Sequence, residues 1–221
     1  MNILVIATHP DDEVLGCGGV IARHVSHGDR VEVVVVTRGA PDLYSEDQVA
    51  TLRKELHEAH SILGISVAHF LDFPAPKLDA VPLHELADSL SARMRDSRPD
   101  VVYLPHRGDL HSDHRAVFQS ALVAARPIGS PSVRRLLSYE TLSETEWAAP
   151  IGEDAFLPNV FIDITDFLEK KKQAMAAYRS QLKEFPHPRS LQSLESLARL
   201  RGGTAGFRAA EAFQLVRELN P

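Results

Sequence analysis

Two short segments hold most of the side chains in this chain that could act together as chemistry. They are Thr8-His9-Pro10-Asp11-Asp12-Glu13 and His111-Ser112-Asp113-His114, with Asp109 just ahead of the second. Imidazoles and carboxylates are donors for a borderline metal ion such as zinc. A histidine and an aspartate from the first segment and a histidine from the second make a two-histidine, one-carboxylate set. Three protein ligands leave a position for water, as in catalytic zinc sites, and the same set also accepts iron. His114 follows His111 by three residues at a predicted helix start, so both rings can face one crevice. Five or six polar groups cannot all ligate one ion. The surplus suits a metal hydrolase, which needs a base beside the bound water and a donor opposite it. Alone, Asp-Asp-Glu at a helix start reads as dipole compensation, and His-x-x-His as a solvated helix face. Two such clusters, each after a buried strand, argue for a metal site.

The elements that position them follow from apolar periodicity. Short apolar runs at 3–8, 31–37, 67–72 and 101–104 read as strands. The run from Val31 is almost pure valine, which suits a central parallel strand covered on both faces. Helical spacing marks 13–27, 46–63, a third helix carrying Leu83, Leu86, Leu90 and Met94 before Pro99, and a fourth over 112–125. This alternation implies right-handed crossovers and an α/β fold: a three-layer α/β/α, Rossmann-like arrangement with a mostly parallel sheet. Strands are then expected at 134–141 and 160–164, a helix over 165–182, and a short helix ending at Arg201 before Gly202-Gly203. The expectation is one domain over 1–221, with an α/β core to about residue 130 and a small C-terminal portion, 131–221, packed on it. Ligands of open α/β sheets bind beyond the carboxyl ends of the strands, and both clusters sit there.

A non-catalytic, Rossmann-like nucleotide-binding module is the rival reading. Gly16, Gly18 and Gly19 invite it, but they do not form G-x-G-x-x-G. Three carboxylates at the strand end also repel a pyrophosphate. The glycines read better as allowing close helix–sheet packing.

The 221 residues are 44% hydrophobic and carry a formal charge of −6. An acidic chain does not favour nucleic acid as a partner. No apolar run approaches the ~18 residues of a membrane span, and the start shows no basic n-region or cleavage site. Cys17 stands alone, which excludes an internal disulfide framework and points to a reducing cytoplasm. A homo-oligomer is compatible with the sequence.

The two motifs resemble those of the PIG-L/LmbE-like family of zinc-dependent N-acetyl-sugar deacetylases, whose signature is a strand, then A-H-P-D-D-E, then a later H-x-D-H. Thr8 stands where the family has alanine, a position that supplies no ligand. Weaker likeness continues through Tyr139-Glu140-Thr141, Pro158-Asn159-Val160, Tyr178-Arg179-Ser180-Gln181 and Ala210-Glu211-Ala212-Phe213, so it spans nearly the whole chain. The resemblance implies one Zn2+ per chain held by His9, Asp12 and His114. It implies Asp11 as the general base for the zinc-bound water, His111 as oxyanion stabiliser and donor to the leaving amine, and Asp113 as the group orienting His111. It implies a small N-acetylated amino sugar or N-acetylglucosamine conjugate as substrate; a non-sugar acylated small molecule is the alternative. Arg53 and Arg189 are candidate substrate contacts.

Other polar residues read as bystanders. His57-Glu58-Ala59-His60 is not H-E-x-x-H and is expected on the polar side of its helix. His24 and His27 read as solvated, Cys17 as a packing residue and His106 as crevice lining or structural. Glu13 is assigned to capping the first helix.

Overall fold

Alternation along the strands decides the layers. In β1 (Asn2–Ala7), Ile3, Val5 and Ala7 face one side while Leu4 and Ile6 face the other. β2 (Arg30–Gly39) repeats the split, with Val31, Val33 and Val35 set against Val34 and Val36. Strands apolar on both faces must be covered on both. On the first face lie α1 (Asp12–Ser26), α2 (Glu46–Leu63), α5 (Leu168–Ala177) and α6 (Leu191–Ala205). On the second lie α3 (Leu83–Ser97) and α4 (Ser112–Ala124). The computed structural model describes residues 1–128 and 133–220. The boundary expected near residue 130 lies outside the described residues.

The remaining strands are β3 (Val67–Ala75), β4 (Val101–Pro105), β5 (Arg135–Tyr139), β6 (Val160–Asp163) and β7 (Ala210–Glu218). All seven form one sheet in the order β3-β2-β1-β4-β5-β7-β6. The fold is thus α/β and Rossmann-like, with a mostly parallel sheet. β1 pairs in parallel with both β2 and β4, Ile3 standing opposite Val31 and Val101. Among the described residues only β7 is reversed, antiparallel to β5 and β6. The chain runs outward from β1 to β3, then returns to β4 on β1's other side. That reversal opens a crevice at the carboxyl ends of β1 and β4.

α2 falls where periodicity predicts it, capped by Ser45 and Gln48 at one end and by Gly64 at φ 84° at the other. In the C-terminal third the strands expected at 134–141 and 160–164 form as β5 and β6, and with β7 between them they join the same sheet. Periodicity does not foresee β7, although Phe213 and Leu215 alternate with Val216 between the two faces. α5 is shorter than 165–182 because the residues after it are drawn into tertiary hydrogen bonds. α6 continues through Gly202-Gly203 and stops at Gly206, φ 80°. A Cβ at Gly202 would lie 2.7 Å from the Ala209 backbone, so that glycine serves a close approach and not a helix end. Close packing is also the role of the glycines in α1: a Cβ at Gly16 would run into the Tyr139 ring, and one at Gly19 would lie 2.7 Å from Ile164.

Candidate metal centre

The first cluster follows β1 and starts α1; the second follows β4 and starts α4. Since β1 and β4 are hydrogen-bonded neighbours, the two loops meet. Three donor atoms converge. His114 Nε2 lies 3.3 Å from His9 Nδ1 and 3.3 Å from Asp12 Oδ2, and His9 Nδ1 lies 3.6 Å from Asp12 Oδ2. A tetrahedron with metal–ligand bonds of about 2.0–2.1 Å has edges of ~3.3–3.4 Å, so the triangle has the size zinc requires.

Each ring is turned by a carboxylate behind it. His114 Nδ1 meets Asp109 Oδ2 at 2.8 Å, which leaves Nε2 for an ion. Asp109 is held in turn by the Thr145 hydroxyl at 2.6 Å. His9 Nε2 meets Asp113 Oδ2 at 3.3 Å, leaving Nδ1 for the same ion. Such carboxylate–histidine pairs fix the tautomer and raise ligand basicity. Asp12 Oδ2 also accepts the His9 N–H at 2.7 Å, whereas its Oδ1 is buried without a hydrogen-bond partner. A buried carboxylate this short of hydrogen bonds is costly, and a cation beside it would offset that cost. Burial alone would raise the Asp12 carboxyl, but His114 and His9 outweigh it and hold it below the usual carboxylate range. Burial alone would lower His114, but Asp12 and Asp109 hold it well above the usual histidine value. This pocket stabilises positive charge.

His9, His111 and Asp113 form a second group of possible ligands. The hydrogen bonds disfavour it. His111 caps α4, its Nδ1 accepting the Asp113 N–H at 3.1 Å. That lone pair is spent, so the neutral ring carries its proton on Nε2, as a donor. Burial, with His9 beside it, lowers His111 to about 4 and keeps it neutral. Here one expectation is corrected. The Asp113 carboxylate does not hydrogen-bond to His111; it binds His9 and accepts the Leu78 N–H at 3.0 Å. The Asp113 backbone, not its side chain, orients His111.

Asp11 is buried at the start of α1 with φ 110°. A non-glycine residue there costs of order 1–3 kcal/mol and persists only where its surroundings enforce it. Burial raises its carboxyl well above the ordinary value; Arg189 opposes that, while Asp12 and Glu13 add to it. Arg189 Nη1 reaches Asp11 Oδ2 at 3.2 Å and Gln181 Oε1 at 3.3 Å, and its Nε donates to Ser143 Oγ at 2.7 Å. The sequence offered Arg189 as a substrate contact, and the structure adds its bond to Asp11. Glu144, 3.5 Å from Arg189 and pushed up by burial to about 7, carries no signal in the sequence.

A cavity of about 500 Å³ opens from His9, Asp11, His111 and Arg189 and runs beside α2 to Arg53 and Phe70. Arg53 binds Asp72 and lies 4.5 Å above the Phe70 ring, in the cavity wall.

Other expectations change with burial. His60 is buried, 3% exposed, against Glu13 at 3.2 Å. It follows Leu56 by four residues, on the apolar stripe, so the stripe itself signalled it. His24 is half-buried between Asp29 at 2.7 Å and the Tyr103 hydroxyl at 3.0 Å. His106 is structural: Nε2 meets the Asp154 carbonyl at 2.9 Å. Cys17 is buried, as expected of a packing residue.

Fold and site define a doubly wound α/β protein with a two-histidine, one-carboxylate centre at its topological switch point. The family model for GlcNAc-PI de-N-acetylases, PIG-L, matches residues 4–125, and the chain belongs to this PIG-L/LmbE-like deacetylase family. It is 31% identical over 185 residues to the uncharacterized deacetylase YaiS of Escherichia coli, covering 81% of this chain and 91% of that one. It is 29% identical over 225 residues to the diacetylchitobiose deacetylase of Thermococcus kodakarensis, covering 97% and 83%. A conserved protein of Thermus thermophilus superposes with a TM-score of 0.80 at 31% identity, covering 100% of this chain and 97% of that one. Among the described residues, no helix is long and apolar enough to cross a membrane.

Proposed function

We propose that this protein is a zinc-dependent N-deacetylase that removes acetate from an N-acetylated amino sugar or N-acetylglucosamine conjugate. The observation that carries the reading is the triangle of His9, Asp12 and His114, with Asp11 and the His111 donor beside it at one end of a sugar-sized cavity. The relatives' activity on acetylated sugars supports the substrate class. When bound, zinc polarises the amide carbonyl and brings a water's pKa to about 7.

The chain's own residues do the rest. Asp11 accepts the proton of the attacking water, as a positioned carboxylate does in general base catalysis. Arg189, at 3.2 Å, favours the ionised form that this role needs. His111 presents its Nε2 proton to the carbonyl oxygen as negative charge builds there. Losing one such donor typically costs ~10²–10³ in rate. The C–N bond breaks, the nitrogen takes a proton, and a free amine and acetate leave. The position of Arg53 in the cavity wall supports a contact with the sugar's substituent.

A panel of N-acetylglucosamine conjugates, N,N'-diacetylchitobiose and simple acetamides, assayed with metal analysis, tests the reading. Equimolar acetate and free amine from an acetylated sugar, with one zinc per chain, is the expected result. Preference for the simple acetamides would overturn the sugar assignment, and no hydrolysis by zinc-loaded protein would overturn the enzyme assignment.

A further inference from the structure

We propose that Glu13 is a positioning residue, held by Tyr178 and His60, that fixes the strained backbone of Asp11; this rests on the reading of Asp11 as the base. A glutamate in the first helical turn ordinarily serves as a solvated cap or as compensation for the helix dipole. Glu13 is 0% exposed. Its Oε2 accepts the Asp11 N–H at 3.2 Å. Its Oε1 accepts the Tyr178 hydroxyl at 2.5 Å and faces His60 Nε2 at 3.2 Å. Tyr178 is fully buried at the end of α5, and His60 is buried on α2. Two elements distant in sequence thus hold one oxygen of the carboxylate, whose other oxygen holds the amide of the residue at φ 110°.

A cap alone does not need these partners. The consequence of the partners is that the Glu13 carboxylate cannot swing away, so Asp11 keeps the backbone turn that carries its side chain to Arg189 in the cavity wall. Asp12 closes the other side of the same turn through the His9 N–H. The metal ligand and the base are therefore braced separately, Asp12 from within the loop and Asp11 from α2 and α5 through Glu13. The two functions are then separable by mutation.

Glu13→Ala, Glu13→Gln and Tyr178→Phe test this in the zinc-loaded protein, on whichever acetylated sugar the wild type hydrolyses. In Glu13→Ala, kcat should fall by roughly 10²-fold, the scale on which small misplacements act, with KM unchanged and one zinc retained. Glu13→Gln keeps an acceptor for the Asp11 N–H and should recover most of that loss. Tyr178→Phe, which keeps the carboxylate but removes one of its two holds, should fall between them. Full kcat in Glu13→Ala, loss of zinc together with activity, or loss in Glu13→Gln as deep as in Glu13→Ala each overturns the proposal. Hydrogen exchange over residues 8–15 needs no substrate and separates the two readings. Faster exchange in Glu13→Ala and Tyr178→Phe is expected even if the wild type hydrolyses nothing, an outcome that would sink only the deacetylase reading. Unchanged exchange overturns the brace.

Discussion

Asp109 lies outside the ligand triangle, yet it decides which nitrogen of His114 faces the triangle. Its carboxylate takes the Nδ1 side at 2.8 Å, and Thr145 anchors it. Asp109→Ala should therefore weaken zinc binding ~10–100-fold, as loss of such partners usually does; competition with a chelator measures it, and unchanged affinity contradicts the assignment. Arg189 acts on the other function. It lowers the Asp11 carboxyl against the burial that raises it. A base works only when deprotonated, so removing the guanidinium should move the acidic limb of kcat/KM upward. Arg189→Met tests this in a pH–rate profile, and a limb that stays put or moves down excludes the electrostatic role. The residue types were legible in the sequence because His9, Asp11, Asp12 and His114 lie in two short motifs. The ties of Asp113 to His9, Thr145 to Asp109 and Tyr178 to Glu13 were not. They join residues up to 165 positions apart, and nothing in local spacing records such pairs.

At the scale of elements, α1 follows the loop of the candidate metal centre and must be held against the sheet. Lys171 on α5 donates to the Leu15 carbonyl at 2.8 Å and to Glu211 at 2.6 Å, while Glu211 on β7 accepts the N–H groups of Gly19 and Val20. Both side chains are 4% exposed. Removing one member leaves a buried charge uncompensated, which typically costs ~3–5 kcal/mol. Lys171→Met should lower the urea midpoint accordingly, whereas the paired change Lys171→Met with Glu211→Leu should recover part of the loss; equal losses would argue against the pair. Periodicity located α2 because its stripe, capping box and Gly64 agree. It overran α5 because Tyr178, Arg179, Ser180 and Gln181 bond to Glu13, Glu58, Glu55 and Arg189, and these tertiary bonds outweigh helix propensity. β7 escaped it because a strand inserted between β5 and β6 owes its place to long-range pairing.

At the scale of the molecule, the centre exists only when β1 and β4 are neighbours and both loops are formed. An ion that binds this arrangement and not the unfolded chain stabilises the fold by mass action. Zinc at a hundredfold excess over its dissociation constant should add about 2.7 kcal/mol, read as a rise in the unfolding midpoint that chelation reverses and His114→Ala abolishes. A midpoint indifferent to zinc would mean that no ion binds the folded centre. The doubly wound order was readable from the alternation of apolar strands and amphipathic helices up to α4, and the crevice followed from it. Beyond β5 the strand of β6 was also readable, but its place at the sheet edge and the insertion of β7 were not, since both rest on long-range pairing.

One six-residue loop, residues 8–13, is proposed to hold the metal through His9 and Asp12 and to handle the proton through Asp11. Zinc content and acetate release, measured together in Asp11→Ala and His114→Ala, test it most directly. Asp11→Ala should keep one zinc per chain and lose ~10²–10⁴ in kcat, the usual worth of a general base, whereas His114→Ala should lose the zinc itself. An Asp11→Ala protein that binds zinc and still releases acetate at the wild-type rate would contradict it.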